Sequence, residues 1–312
     1  MKLFNRNAVF VLAVILSPVY MSGGVLAEPI KPSLQTPANE IQAKLAKLES
    51  SSGGRIGVYA IDTANNRKIE YRGSERFAFC STSKVIVVSA ILKKSENIPT
   101  LLQKTIKYSQ KDVDKSGYAP ITKKYINNGM SVAKLCEAAL DYSDNTAMNL
   151  LTQTLGGVNA VTMYARSIND NKFRLDRPEP ELNTAVPGDL RDTTTPEAMG
   201  ASLQQLVLKD ALKLPEREQL LSWLKSNTTG NAKIRAGVPK GWIVGDKTGS
   251  GDYGTKNDIG IIYPPKCSPL VVVVYTTQNK KDAVSHDEVI ASATGMLINE
   301  FANTNRCIKQ NL

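Results

Sequence analysis

Apolar alternation of the strand type occurs near both ends of this chain, and the long stretch between carries only helical periodicity; few folds accommodate that layout. Residues 55–63 alternate through Ile56, Val58 and Ala60, Asn65-Asn66 supplies a turn, and residues 68–71 return, which predicts a hairpin. Strand patterns come back at residues 241–247, 259–263 and 270–276. From about Ser83 to Leu224 the signals are helical, at 85–92, 132–140, 147–155, 158–167, 196–208 and 215–224, with Thr195 placed to cap the fifth of these. Strands divided between the two ends of a chain share a sheet only if the ends come together. The expected class is therefore α/β in the α+β sense: one mixed sheet closed by both termini, with a helical domain inserted between its strands.

The boundaries that follow are a signal peptide over residues 1–27, an α/β domain from 28–75 and 228–312, and a helical domain over 76–227. The first 27 residues carry Lys2 and Arg6, an apolar run broken by Pro18, and a small-residue cleavage pattern at Val25-Leu26-Ala27. That run is too short and interrupted to span a membrane, and no later stretch approaches the ~18 apolar residues a span needs. No cysteine stands at the cleavage point, so no membrane anchor is expected and the implied location is periplasmic, or secreted from a cell without an outer membrane. Thr36-Pro37 reads as the cap and first residue of a helix to about Leu48. Ser285 with Glu288 reads as a capping box opening a last helix to about Asn303, with His286 in its first turn. The last strand starts just after Cys267 and the last helix ends just before Cys307. About eight strand residues at ~3.3 Å and about eighteen helical residues at ~1.5 Å both span roughly 27 Å. An antiparallel helix would thus bring Cys267 and Cys307 together, and a disulfide is expected there in an oxidising compartment.

Composition narrows the function. The 312 residues hold 39 Lys plus Arg against 29 Asp plus Glu, for a net charge of +10, and aromatics make up only 6%. The basic residues are scattered rather than clustered with aromatics, so no nucleic-acid partner is expected, while an anionic small molecule fits. The chain has one histidine, His286. A multi-histidine metal site cannot be assembled, and a Ser-His-Asp triad would rest on that residue alone. A hydrolase built from this chain needs another way to activate a nucleophile. Ser81-Thr82-Ser83-Lys84 supplies one, because residues three apart in a helix share a face and a desolvated lysine can take the proton of a serine hydroxyl. In the first turn of that helix, Ser81 would also meet backbone N–H groups that favour developing negative charge. The spacing alone says little, since it recurs at Ser131/Lys134 and Ser222/Lys225 on what read as exposed helix faces. Two further triplets add weight: Ser143-Asp144-Asn145 falls between two helical runs, and Lys247-Thr248-Gly249 ends a strand.

In the order Ser-x-x-Lys, Ser-Asp-Asn, Lys-Thr-Gly, the three resemble the signature of penicillin-recognising serine enzymes. Residues 173–195, a loop with three prolines and many charges, contain Arg177-Pro178-Glu179-Pro180-Glu181-Leu182-Asn183, which resembles the omega loop (174–192) of class A β-lactamases. The likeness runs from the first helix through Asn303, and residues 247–257 most resemble the cefotaximase-type extended-spectrum branch. The resemblance implies a five-stranded antiparallel sheet with flanking helices and an inserted all-α domain, the β-lactamase/transpeptidase arrangement, with the site in the cleft between them. It implies hydrolysis of penicillins and cephalosporins through a serine acyl-enzyme, with no metal or cofactor, in a monomer.

It also implies roles. Ser81 is the expected nucleophile, with its own N–H and that of Ser250, beside Gly249, forming the oxyanion hole. Lys84 and Glu179, the latter through a water, are the two candidates for the acylation base. Ser143 relays a proton to the lactam nitrogen, Asn145 binds the substrate's side-chain amide, and Lys247 with Thr248 holds its carboxylate. Glu179 and Asn183, four apart, hold the water that frees the serine. Tyr118 packs on the substrate at the rim. Arg177 with Asp192 closes the loop and Arg174 with Asp176 forms a second pair, and the Glu179-Pro180 bond is expected cis. The cation that assists carboxylate binding in many relatives is matched by Lys256, with Lys233 as a substitute. Ser250, Gly251 and Asp252 hint at oxyimino-cephalosporins. Some familiar bridges cannot form, because Val88 and Gly251 stand where cysteines would be needed, so Cys80 and Cys136 are expected to be buried free thiols. Two rivals share the serine machinery: a D,D-peptidase acting on peptidoglycan, which would lack the Glu179/Asn183 loop, and a tethered penicillin sensor that stays acylated.

Overall fold

The computed structural model describes residues 37–312, and the expected signal peptide and the Thr36 cap lie outside them. Helix α1 (Pro37–Ser52) runs one turn past the expected end and delivers the chain to β1 (Arg55–Asp62), which forms the expected hairpin with β2 (Arg67–Tyr71). Strands β3 (Ile243–Ser250), β4 (Lys256–Tyr263) and β5 (Leu270–Thr277) complete a five-stranded antiparallel sheet of order β2-β1-β5-β4-β3. Pairing of Arg55 with Thr277 and of Asp62 with Leu270 joins the first strand to the last. This is the closure that the split strand pattern demanded.

The sheet is antiparallel yet covered on both faces, which explains why β5 reads Leu-Val-Val-Val-Val-Tyr without a polar alternate. Val271, Val273 and Tyr275 join Tyr59, Ile61, Ile259 and Ile261 in the core shared with the helical section. Leu270, Val272 and Val274 join Ile56, Val58 and Val244 under α1 and helix α9 (Asp287–Ala302). Helix α2 (Lys84–Ser95) is buried along every residue from Lys84 to Leu92 and is apolar nearly all round, as a central helix must be. Packed about it are α4 (Val132–Asp141), α5 (Asn145–Leu155), α6 (Val158–Ser167) and α8 (Leu214–Lys225), while α3 (Gln110–Ser116) lies against α5 and α7 (Pro196–Val207) against the sheet. Helix α7 lies so close to the sheet that a Cβ on Gly200 would stand 2.3 Å from the Tyr59 ring.

Several details depart from expectation. The Ser285/Glu288 capping box does not form: α9 begins at Asp287 with an extended His286 in the capping position, and Glu288 is engaged by His286 Nδ1 at 2.8 Å instead. His286 therefore precedes the first turn. Helix α3 has one apolar residue in the core, Val113, and so gave no periodicity, although the reciprocal box of Ser109 and Asp112 marks its start. Strand β3 continues through the Lys-Thr-Gly triplet to Ser250. Helix α9 stops at Ala302, and a separate turn, α10 (Arg306–Lys309), capped by Asn305, carries Cys307. No helix among the described residues is long and apolar enough to cross a membrane.

Cys267 and Cys307 are joined by a disulfide across 40 residues of chain, while Cys80 and Cys136 are free and buried. Denatured protein should therefore take up two alkyl groups without reductant and four with it, read by intact mass. A third or fourth group in the unreduced sample would contradict the bridge. Replacing Cys267 and Cys307 by serine should lower stability by at most about 4 kcal/mol, the chain-entropy limit for a loop of this length.

Candidate active site

Ser81 sits in a 3-10 turn, Cys80–Ser83, that leads into α2, rather than in the helix itself. Cys80 enters the turn with φ of +49°, a left-handed conformation that lets the neighbouring strand come close. A Cβ on Gly249 would stand 2.8 Å from the Phe79 carbonyl oxygen and 3.2 Å from Ser81 N, so only glycine lets β3 run this near the nucleophile turn. Lys84 opens α2 one turn on, fully buried, and its Nζ donates to Ser81 Oγ at 2.6 Å, to Asn145 Oδ1 at 2.9 Å and to Glu179 Oε1 at 2.5 Å. The serine and lysine thus meet as their spacing predicted. Ser81 Oγ also donates to Glu179 Oε1 at 3.4 Å.

Glu179 is fully buried on the loop, with the cis peptide to Pro180 that was expected. Asn183 Nδ2 donates to Glu179 Oε2 at 2.5 Å. Asn149, which sequence reasoning missed, grips the backbone of Glu179 from both sides: its Oδ1 accepts from Glu179 N and its Nδ2 donates to Glu179 O, each at 2.9 Å. The signal was available, because Asn145 and Asn149 are one turn apart on α5 and face the same way. Arg177 Nε meets Asp192 Oδ2 at 2.5 Å, and Asp192 Oδ1 accepts from the N–H groups of Asp176 and Arg177, closing the loop. Arg174 and Asp176 form the second pair.

The opposite wall comes from the α4–α5 junction and β3. Asp144 caps α5 and also accepts from Ile121 N, Thr122 N and Thr122 Oγ1, so the triplet's middle residue anchors the junction while its neighbours face the cleft. Ser143, at φ +59°, accepts at Oγ from Lys247 Nζ, 3.0 Å away. Lys247 is buried, and burial pushes its ammonium down to about 7, helped by the charge of Lys84 and opposed by Asp246, Asp258 and Glu179. Burial likewise raises the carboxyls of Asp246 and Asp258. Asn257, also missed, donates from β4 to the carbonyl oxygens of Ala78 and Phe79 and so ties the sheet to the nucleophile turn.

Ser81, Ser143, Asn145, Asn183 and Thr248 line a cleft of about 350 Å³, with Gly249 and Ser250 at its β3 edge and Tyr118, half exposed, at its rim. Of the two candidate cations, Lys233 lines this cleft and pairs with Asp287 Oδ1 at 3.2 Å. Lys256 instead reaches Ser250 Oγ at 3.2 Å on the exposed side and is not part of the lining. Thr229, not singled out from sequence, completes the lining. A more open groove of about 540 Å³ by Lys94, Ile98 and Leu101 holds no serine, cysteine or acid and is not a competing site.

A buried serine–lysine–carboxylate set of this geometry suits acyl transfer through a covalent serine intermediate. Comparison with known proteins agrees. Residues 39–301 match the model of the β-lactamase enzyme family. A β-lactamase of Proteus vulgaris is 55% identical over 268 residues, covering 86% of this chain and 98% of that one. The β-lactamase CTX-M-8 of Citrobacter amalonaticus is 53% identical, covering 86% and 91%. The crystal structure of a β-lactamase from Desulfarculus baarsii DSM 2075 superimposes with a TM-score of 0.83 at 47% identity, covering 86% of this chain and 99% of that one. By its motifs, its fold and these likenesses, the chain belongs to the β-lactamase enzyme family, in its class A.

Proposed function

We propose that this protein hydrolyses the β-lactam ring of penicillins and cephalosporins through an acyl-enzyme on Ser81, and so confers resistance to them. The observation that carries the reading is the buried Glu179 carboxylate, 3.4 Å from Ser81 Oγ and held by Asn183, because it separates turnover from trapping. Ser81 attacks the lactam carbonyl, and its proton passes to the Lys84–Glu179 pair, both of which touch its hydroxyl. The N–H groups of Ser81 and Ser250 stabilise the oxyanion. Ser143, backed by Lys247, returns a proton to the departing nitrogen. Glu179 and Asn183 then direct a water at the ester. Asn145 receives the substrate's amide, Tyr118 its side chain, and Lys247 with Thr248 its carboxylate. A peptidase or a permanently acylated sensor would have no use for a buried carboxylate and amide aimed at the serine.

The likeness of residues 247–257 to the cefotaximase-type branch extends the proposed substrates to oxyimino-cephalosporins. Export to the periplasm is supported by the amino-terminal pattern and by the disulfide, which persists in oxidising compartments.

Two measurements test the scheme. With a chromogenic cephalosporin, Glu179→Ala should lose about 10²- to 10⁴-fold in turnover, the usual worth of a general base, and accumulate a stable adduct by intact mass. Stoichiometric acylation without turnover in the wild type would overturn the hydrolase reading. For the carboxylate cation, Lys233→Ala should raise KM about tenfold, as the loss of one charge-assisted hydrogen bond, while Lys256→Ala changes it less than about twofold. The reverse order would reassign the role to Lys256.

A further inference from the structure

A chain of hydrogen bonds runs from the surface to the cleft, and the chemistry of its members fixes the direction of every proton in it. Arg235 Nε donates to Asp246 Oδ1 at 2.6 Å. Asp246 Oδ2 accepts from Asn227 Nδ2 at 2.7 Å, which places the amide nitrogen of Asn227 on the side of Asp246. The other end agrees: Asn227 Oδ1 accepts from Thr229 N at 3.0 Å, and a backbone N–H can only donate. Both contacts therefore set the same amide orientation. Asn227 Oδ1 lies 2.7 Å from Thr229 Oγ1 as well, and an amide oxygen has no proton to give, so the one hydroxyl proton of Thr229 is committed to Asn227. Thr229 Oγ1 is in turn 2.5 Å from Thr248 Oγ1. With the Thr229 proton already spent, Thr248 is the donor in that contact. No other partner of the Thr248 hydroxyl exists among the described residues.

We infer that Thr229 is a positioning residue that restrains the carboxylate-binding site by holding the proton of Thr248 turned away from the substrate. The inference rests on the proposed β-lactamase reading and deepens it. When a substrate carboxylate arrives beside Lys247, the Thr248 hydroxyl swings from Thr229 to the carboxylate, and the Thr229 lone pair loses its donor while facing an anion. The chain thus sets a cost on anion binding that Asn227, Asp246 and Arg235 maintain from behind. Thr229 lines the cleft and offers it only a lone pair.

The test uses the mature protein and benzylpenicillin, with KM and kcat separated, together with the Kd of ring-opened benzylpenicillin, which keeps a carboxylate and cannot acylate. Thr229→Val, which removes the hydroxyl at constant volume, should lower KM and Kd by about two- to tenfold, the worth of one neutral hydrogen bond, with kcat within about twofold. Thr229→Ser should return both to the wild-type values. In a Thr248→Val background, where no hydroxyl remains to be freed, Thr229→Val should have no effect on either constant. Thr229→Ala serves the same comparison if the valine variant does not fold. An unchanged or raised KM and Kd in Thr229→Val, or the same fall in the Thr248→Val background, would overturn the inference. Absence of wild-type turnover would overturn the hydrolase reading alone, because the Kd series still decides the role of Thr229.

Discussion

Lys84 and Glu179 form an ion pair with both side chains wholly removed from solvent, and much of the surrounding structure exists to make that tolerable. Burying two charges costs several kcal/mol per ion unless further hydrogen bonds satisfy them. Lys84 has three partners, Ser81, Asn145 and Glu179, which matches the three protons of an ammonium. Glu179 has Lys84 on one oxygen and Asn183 on the other, while Asn149 fixes its backbone. The loop that carries it is closed through Arg177 and Asp192, whose carboxylate accepts a guanidinium and two backbone N–H groups at once. Removing either member of the central pair would leave a buried uncompensated charge, so the proposed catalytic role and the structural demand fall on the same residues.

A second buried charge group lies behind the opposite wall. Lys247 on one face of β3 is balanced by Asp246 and Asp258, and Asp246 by Arg235. The two groups are not independent, since the charge of Lys84 lowers the proton affinity of Lys247. The cleft thus has a lysine on each wall, each with its acids set behind or beside it. Such an arrangement is compatible with the anionic small molecule that the chain's basic surplus allowed.

How much of this was legible in the sequence depended on whether a feature is local. Strand alternation, helix periodicity and the closing of the sheet by both termini were visible because they follow from the order of side chains alone. The triplets containing Ser81, Ser143 and Lys247 were legible because each is a short run with a chemical purpose. Asn149 could have been found from its one-turn spacing to Asn145, but Thr229, Arg235 and Asn257 could not, because each acts across a gap of roughly ten to two hundred residues and carries no local pattern. The choice between Lys233 and Lys256 was equally hidden: both are lysines near the right place, and only the path of the turn before Ile234 sends one into the cleft. The failed capping box at Ser285 is the converse case, a sound local pattern overridden when Glu288 is held by His286.

The backbone supplies the last link between fold and site. Cys80, Ser143, Ala185 and Asp192 all have φ between +44° and +59°, a region where side chains are disfavoured, and all lie in or beside the cleft or its loop. Such residues cost on the order of 1–3 kcal/mol each and persist only where the surroundings determine them fully. Here the surroundings can be named. Asp192 is held by its hydrogen bonds to the loop, Ser143 by the Asp144 cap and Lys247, and Cys80 by the strand pressed against its turn. The buried ion pair and the two tightly packed cores therefore do more than stabilise the protein. They hold a strained rim in the arrangement that brings Ser81, Lys84 and Glu179 into mutual contact.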